Sequence, residues 1–112
     1  MKIRIKDFPE KARLVKSDER YDVYDLAMTH LVTSMTILHE SQETTGHSHD
    51  DVEEVYLFLE GKGEIQLDDD RQNVEQGDLI LIQKGVFHKV FNKGNDNLIF
   101  VSVFEQYAGR GK

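Results

Sequence analysis

From Tyr21 onward the chain consists of short runs of Val, Ile, Leu, Thr, Tyr and Phe, broken at steady intervals by Gly, Asp or Asn. Such runs are typical of short β-strands joined by turns, and they lack helical periodicity. Because nine runs fit into 112 residues, the sequence predicts an all-β sandwich or barrel. The predicted strands are residues 21–28, 33–39, 45–49, 54–59, 63–67, 72–74, 79–82, 88–92 and 98–105.

The connections between these strands have the chemistry of tight turns. Residues 68–71 and 93–96 are polar turns. Gly61, Gly77 and Gly85 fall where a connection needs a positive φ or the absence of a Cβ atom. We therefore expect strands that follow one another closely, with no linker or repeat between them.

The two ends of the chain differ from its strand-rich middle. Pro9 is acceptable in the first turn of a helix, so we predict a short helix over residues 10–16. The last residues predict a flexible tail at 106–112. We therefore predict one domain over residues 1–112, with its barrel at about 21–105.

The chain contains no cysteine, which excludes disulfides, thiolate metal sites and a cysteine nucleophile. Any metal ion must be bound by His, Asp, Glu or water. No apolar stretch approaches the roughly 18 residues of a membrane span, and the N-terminus does not have the pattern of a signal peptide. We therefore expect a soluble cytoplasmic protein with no membrane partner.

Acidic residues outnumber basic ones by 21 to 14, which gives a net charge of -7. The excess lies in residues 40–78, where 13 carboxylates accompany only Lys62 and Arg71. This composition argues against nucleic acid as a partner, because phosphate binding needs clustered Lys and Arg. Most of these carboxylates are expected to form a solvated face.

Three histidines and one glutamate are spaced as ligands of a single metal ion. In an extended segment, the side chains of His47 and His49 leave the same face. Glu54, which begins the next strand, and His88, on a neighbouring strand, are the third and fourth candidate ligands. Three imidazoles and one carboxylate suit a divalent transition metal, Mn, Fe, Ni, Co, Cu or Zn, and leave two open positions on an octahedral ion.

These residues resemble the first metal-binding motif of the cupins, which are small β-barrel proteins. That motif reads Gly, five residues, His-x-His, three or four residues, Glu, six residues, Gly. His47, His49, Glu54 and Gly61 match it in register, and Ser41 stands in place of the leading glycine.

The second cupin motif reads Gly, five residues, Pro-x-Gly, two residues, His, three residues, Asn. Gly77, Gly85, His88 and Asn92 match it, and Gln83 replaces the proline. The 15 residues between the two motifs form one predicted hairpin, as a compact single-domain cupin requires.

The resemblance covers residues 33–105. It implies a cupin-type double-stranded β-helix, that is a jelly-roll barrel, with a short N-terminal extension. Glu53 is the rival carboxylate, but it leaves seven residues before Gly61, so Glu54 is preferred. The implied metal ligands are His47, His49, Glu54 and His88.

Four further polar residues are candidates for roles beside the metal. Tyr56 and Gln66 are predicted to face inward on adjacent strands, where barrel filling is the alternative interpretation. His39 ends a strand that is predicted to run toward the site, as a general base or a residue that supports a ligand. His30 is expected to be structural. Tyr56 and His39 are therefore the candidate catalytic residues.

Three functions fit such a site, because a fold does not fix a reaction. The first is an isomerase in which the metal stabilises an enediolate, and the sequence around residues 45–63 resembles the cupin-type phosphoglucose isomerases. The second is an Fe- or Mn-dependent dioxygenase or decarboxylase. The third is a cupin that binds or senses a small molecule without catalysis.

The resemblance also implies a homodimer. The N-terminal residues 1–5 alternate apolar and basic side chains. This segment is predicted to pair with the sheet edge of a partner copy and so to protect that edge.

Overall fold

The computed structural model describes residues 1–107, which form two antiparallel β-sheets preceded by a short helical segment. A 3-10 helix at Ile5–Asp7 comes first and is followed directly by a short α-helix. The remaining elements are α1 (Phe8–Lys11), β1 (Arg13–Ser17), β2 (Tyr21–Ala27), β3 (Leu31–Leu38), β4 (Glu54–Glu60), β5 (Lys62–Leu67), β6 (Asp70–Glu75), β7 (Leu79–Ile82), β8 (His88–Phe91) and β9 (Leu98–Glu105).

The larger sheet has the strand order β1-β2-β3-β9-β4-β7, and the smaller sheet has the order β6-β5-β8. One hydrophobic core lies between them, because Leu38, Phe58 and Leu98 of the larger sheet pack with Ile65 and Val90 of the smaller one. All five side chains are buried. This architecture confirms the predicted all-β jelly roll.

The inner face of the larger sheet changes from apolar to polar along its strands. Alternate residues of a strand share a face, so the inward positions of β3 are Leu38, Thr36, Ser34 and Val32 in turn. Ser34 lies opposite Ser102 on β9, and Ser102 lies opposite Tyr56 on β4. Hydroxyl groups therefore form a band next to the hydrocarbon-filled core, and Val32 and Phe104 lie beyond that band.

The predicted helix over residues 10–16 is wrong. The helix ends at Lys11, and Arg13–Ser17 is strand β1, which pairs antiparallel with β2. Asp18 closes this hairpin, because its Oδ1 atom accepts hydrogen bonds from the backbone N–H groups of Arg20 at 2.8 Å and Tyr21 at 3.4 Å. Pairing with β2 thus decides the structure of a charged segment that has little pattern of its own.

The predicted strand over residues 45–49 is not formed either. An isolated β-bridge joins His47 to His88 instead. The ring of Phe87 packs against the backbone of Gly46, where a Cβ atom would lie 2.2 Å from the ring. The segment therefore crosses the end of β8 as an extended loop.

The other boundaries lie close to the prediction. β3 begins at Leu31, two residues earlier than predicted, and β6 covers six residues where three were predicted. Gly61, Gly77 and Gly85 all have positive φ, as the turn chemistry predicts.

The outer face of the larger sheet is only partly covered. Phe8 of α1 packs there against Met35 and Val101. Beyond this contact, Leu79 and Leu81 on the outermost strand β7 are 58% and 67% exposed. Leu57 pairs with Leu79 and extends the apolar surface inward from this edge.

The described part of the predicted tail makes contacts with the body of the protein. The backbone N–H of Gln106 donates to the carbonyl of His30 at 2.9 Å, and its side-chain amide donates to the carbonyl of Met28. The rest of the tail, residues 108–112, lies outside the described residues. Within residues 1–107, no helix has the length and apolar character needed to cross a membrane.

Candidate metal centre

The four predicted ligands meet at the polar end of the sandwich. One nitrogen or carboxylate oxygen from each of them lies within 4.8 Å of the others. Glu54 begins β4, His88 begins β8, and His47 and His49 belong to the loop that crosses β8. Residues from both sheets and from one loop thus form a single cluster.

Backbone hydrogen bonds hold the histidine loop against β8. The N–H of His47 donates to the carbonyl of His88 at 3.2 Å, and the reverse bond is 2.9 Å. The N–H of Gly85 donates to the carbonyl of His49 at 2.7 Å. The positive φ of Gly85, +79°, lets the chain turn at that point and present its N–H to the loop.

The hydrogen bonds of two imidazoles fix which ring nitrogen faces the cluster. Nδ1 of His47 lies 3.2 Å from the carbonyl oxygen of Thr45, and Nδ1 of His88 lies 3.0 Å from that of Val86. A carbonyl only accepts, so each Nδ1 carries the proton. Both Nε2 atoms therefore direct lone pairs into the cluster, as metal-ligating histidines do.

The distances within the cluster suit ligands around one ion. The Nε2 atoms of His47 and His88 are 3.1 Å apart, and Oε1 of Glu54 lies 3.4 Å from Nε2 of His49 and 3.6 Å from Nε2 of His88. Two ligand atoms placed ~2.1 Å from a metal at a right angle are about 3 Å apart. The donor set and the spacing therefore fit a divalent transition metal.

The environment of His47 favours the neutral imidazole that a metal needs. Desolvation of the ring lowers the pKa of His47, and the neighbouring His88 and His49 lower this pKa further. The Thr45 carbonyl and the Glu54 carboxylate act in the opposite direction. A lowered pKa leaves the ring free to bind a cation near neutral pH.

A cavity of about 400 Å³ opens beside the cluster. It falls within the range of roughly 300–1,000 Å³ that is typical of small-molecule sites. Its lining includes His47, Glu54 and Tyr56. Its other lining residues are Val15, Lys16, Tyr21, Val23, Ser34, Thr36, Thr44, Thr45, Phe100, Ser102 and Phe104.

The two candidate catalytic residues have different positions. Tyr56 is buried, lines the cavity, and lies perpendicular to the ring of His88 with 5.8 Å between the ring centroids. His39 makes its contacts elsewhere, since its Nε2 atom lies 3.3 Å from Asp22 and its Nδ1 atom 3.2 Å from the carbonyl of Glu19. The structure thus brings Tyr56, but not His39, to the cluster.

Sequence reasoning missed two kinds of residue in this region. The ring of Tyr107 packs on His49 with a centroid distance of 4.5 Å, although the residue was predicted to lie in a tail. Ser34 and Ser102 line the cavity from β3 and β9. Their inward position follows from the alternation along each strand, which the sequence does show.

The structure is thus a small two-sheet β-barrel with a cluster of three histidines and one glutamate that could bind a metal ion. The family model for the cupin domain matches residues 34–104. The chain therefore belongs to the cupin family.

The chain is also similar in sequence to a protein of an archaeon. Uncharacterized protein MJ1618 of Methanocaldococcus jannaschii is 42% identical over 53 residues, which are 47% of this chain and 42% of that protein. The match thus spans less than half of that relative's length.

Two solved structures show the same fold. An uncharacterized conserved protein with a double-stranded β-helix domain from Klebsiella pneumoniae is 23% identical, with a TM-score of 0.79 over 99% of this chain and 95% of that chain. A predicted oxalate decarboxylase from Thermotoga maritima is 20% identical, with a TM-score of 0.71 over 78% of this chain and 81% of that chain.

Proposed function

We propose that this cupin is a metal-dependent enzyme that acts on a small oxygen-rich metabolite. His47, His49, Glu54 and His88 would hold one divalent transition metal, and the adjoining cavity would hold the substrate. The observation that carries the proposal is the convergence of two imidazole lone pairs, from Nε2 of His47 and Nε2 of His88, at 3.1 Å. Such an arrangement is repulsive unless a cation or a proton lies between the rings.

The reaction we favour is an isomerisation through an enediolate. A divalent ion would supply Lewis acidity to the carbonyl and hydroxyl oxygens of a hydroxycarbonyl compound. This would acidify the C–H bond of the hydroxyl-bearing carbon, whose proton passes to solvent water and whose electron pair forms the enediolate. With four ligands from the chain, a six-coordinate ion would have two positions left for those oxygens. This requirement selects substrates with oxygens on neighbouring carbons, such as sugars and hydroxyketones.

Tyr56 is the residue best placed to handle a proton. Its ring stacks on Phe100 with 4.9 Å between the centroids, which orients the side chain along the cavity wall. A phenol is a weak acid, so its O–H donates readily to an oxygen that gains negative charge during the reaction. We therefore assign Tyr56 to the stabilisation and protonation of a substrate oxygen.

The hydroxyl groups of Ser34 and Ser102 support the choice of an oxygen-rich substrate. Both residues are buried, at 1% and 6% exposure, and both line the cavity. A hydroxyl group can donate and accept hydrogen bonds, which matches the hydroxyl groups of a polyol or hydroxy acid.

The experiment is a proton-exchange assay. Protein loaded with Mn²⁺, Fe²⁺, Co²⁺, Ni²⁺ or Zn²⁺ is incubated in D₂O with aldose phosphates, ketose phosphates and hydroxyketones, and ¹H NMR follows the carbon next to the carbonyl. The proposal predicts metal-dependent loss of that proton signal. If every metal-loaded sample leaves all these compounds unexchanged, the isomerase assignment fails.

A decarboxylase is the second candidate, because the same ligand set serves that chemistry and a structural neighbour is described as a predicted oxalate decarboxylase. Release of CO₂ from small dicarboxylates and 2-oxoacids, with no proton exchange in the sugar series, would favour it. If ligands raise the melting temperature without any turnover, the chain acts as a binding or sensor cupin instead.

A further inference from the structure

The cavity contains one feature that the metal centre does not explain. Lys16 lines it together with His47 and Glu54, and it is the only Lys or Arg among the described lining residues. Its ammonium lies 5.3 Å from the centroid of the Tyr21 ring, which lines the same cavity. Lys16 on β1 and two of the candidate metal ligands therefore line the same cavity.

A β-bulge places Lys16 there. The register between β1 and β2 is regular from Arg13 to Leu14, and it shifts between Leu14 and Lys16. A bulge adds one residue to a strand and redirects the side chains that follow it. Val15 and Lys16, although adjacent in sequence, consequently both line the cavity.

Lys16 also differs from the cations that have a structural role in this fold. Lys89 and Lys93 lie 2.8 Å and 3.0 Å from the carboxylates of Glu43 and Glu64. No carboxylate of residues 1–107 lies within 4.0 Å of the Lys16 ammonium. In a chain with a net charge of -7, a lysine without a carboxylate partner at a cavity mouth leaves its charge available to a ligand.

We propose that Lys16 binds an acidic group of the substrate, a carboxylate or phosphate, while other oxygens of the same molecule reach the metal centre. This inference rests on the proposed function and narrows its substrate class to anions. Glu54 is the only carboxylate among the described lining residues, and it is assigned to the metal. Lys16 and a divalent ion thus give the cavity a positive charge within an acidic protein.

Arg20 lies in the turn between β1 and β2 and links this hairpin to the histidine loop, although it does not line the cavity. Its guanidinium donates to the hydroxyl of Thr45 at 2.6 Å, and Thr45 in turn accepts the Nδ1 proton of His47 through its carbonyl. The hairpin that carries Lys16 is thereby tied to the loop that carries His47. The backbone segments that carry the anion site and the metal site are therefore connected by a side-chain hydrogen bond.

The test compares ligands with one and two acidic groups. Metal-loaded protein, with its metal content measured first, is titrated by calorimetry with acetate and with oxalate, malonate, succinate and glutarate. For the dicarboxylate that binds best to the wild-type protein, Lys16→Met should weaken binding by about tenfold or more, the effect of losing one hydrogen bond between charged groups. Acetate should bind Lys16→Met and the wild type equally, and Lys16→Arg should retain most of the dicarboxylate affinity.

Lys11→Met is the matched control, since Lys11 is an exposed lysine on α1, and it should bind all ligands as the wild type does. Equal affinity of Lys16→Met and the wild type for every dicarboxylate overturns the assignment while leaving the proposed function intact. An equal loss for acetate and dicarboxylates also overturns it, because Lys16 would then affect the metal site. A protein without stoichiometric metal overturns both proposals.

Discussion

The Nε2 atoms of His47 and His88 lie 3.1 Å apart although 41 positions separate the two residues in the sequence. The isolated β-bridge between the residues fixes their backbones, and the carbonyls of Thr45 and Val86 fix their tautomers. Two lone pairs that face each other at this distance repel unless a positive charge lies between them. The β-bridge between His47 and His88 therefore creates a position where a cation is favoured.

The stability of the metal-free protein should depend on pH through His47. Because the pKa of His47 is lowered in the folded state from its ordinary value of 6.5, the unfolded chain binds more protons as pH falls below that value. The contribution of His47 to the free energy of unfolding should therefore be constant well above pH 6.5. It should decrease as the pH falls from 6.5 toward the lowered pKa of the folded state.

Urea unfolding of metal-free protein between pH 5 and pH 8 measures this dependence. His47→Ala should show a shallower dependence, and His39→Ala serves as a histidine control outside the cluster. An unchanged slope in His47→Ala would show that His47 does not contribute.

Tyr56→Phe should lower turnover without affecting the metal content. The phenyl ring can keep the stacking on Phe100, so only the hydroxyl group is lost. Loss of a group that transfers or donates a proton typically lowers the rate by about 10²–10⁴-fold. Steady-state kinetics with the substrate found by the exchange assay, together with metal analysis, provide the measurement. Turnover equal to that of the wild type would remove Tyr56 from the chemistry.

Ser41 occupies the position where the cupin motif has glycine, and its φ is +61°. A residue with a Cβ atom is strained in this region, so Ser41→Gly should stabilise the fold by up to about 1 kcal/mol. The control is Ser48→Gly, an exposed serine that is not among the residues with positive φ; this change should be neutral or destabilising. Urea unfolding compares the two variants. A loss of stability in Ser41→Gly would contradict the strain argument.

The exposed leucines of β7 predict self-association of the chain. β7 is the outermost strand of its sheet, its residues Leu79–Ile82 are all apolar, and two copies related by a two-fold axis would cover both edges at once. Light scattering at high protein concentration should give twice the chain mass of 13.0 kDa. Added salt should strengthen the dimer, because each copy carries a net charge of -7.

The combined change Leu79→Gln and Leu81→Gln should give the monomer, whereas Leu14→Gln, an exposed leucine on β1, should leave the dimer intact. If Leu14→Gln breaks the dimer and the β7 variant does not, the interface lies at the other edge of the sheet. A wild-type monomer at every concentration would contradict the proposed homodimer.

Much of the fold could be predicted because strand signals are local. The alternation that buries Glu54, Tyr56 and Phe58 on one face of β4 is present in the sequence. β1 could not be found in the same way, because its five residues are all exposed and its pairing with β2 decides its conformation. Residues 45–49 were predicted as a strand, but among residues 1–107 only His88 of β8 pairs with this segment.

The residues of the candidate site also fall into two groups, those with a local sequence signal and those placed by tertiary contacts. Alternation along an extended segment grouped His47 with His49, and the resemblance to the two cupin motifs added Glu54 and His88; the structure brings all four together. The placement of Lys16 depends on a bulge, and that of Tyr107 on the packing of the chain end against His49. Neither contact has a local sequence signal, so only the structure brings these residues to the site.

Metal analysis of the untagged protein is the most direct test of the central claim. After incubation with each candidate ion and removal of the unbound metal, mass spectrometry should find about one ion per chain. His47→Ala and His88→Ala should lower the affinity by at least about 100-fold, and His39→Ala should retain the ion. Far-UV circular dichroism of each variant verifies folding. No stoichiometric metal in the wild-type protein, or full retention in folded His47→Ala, would contradict the account.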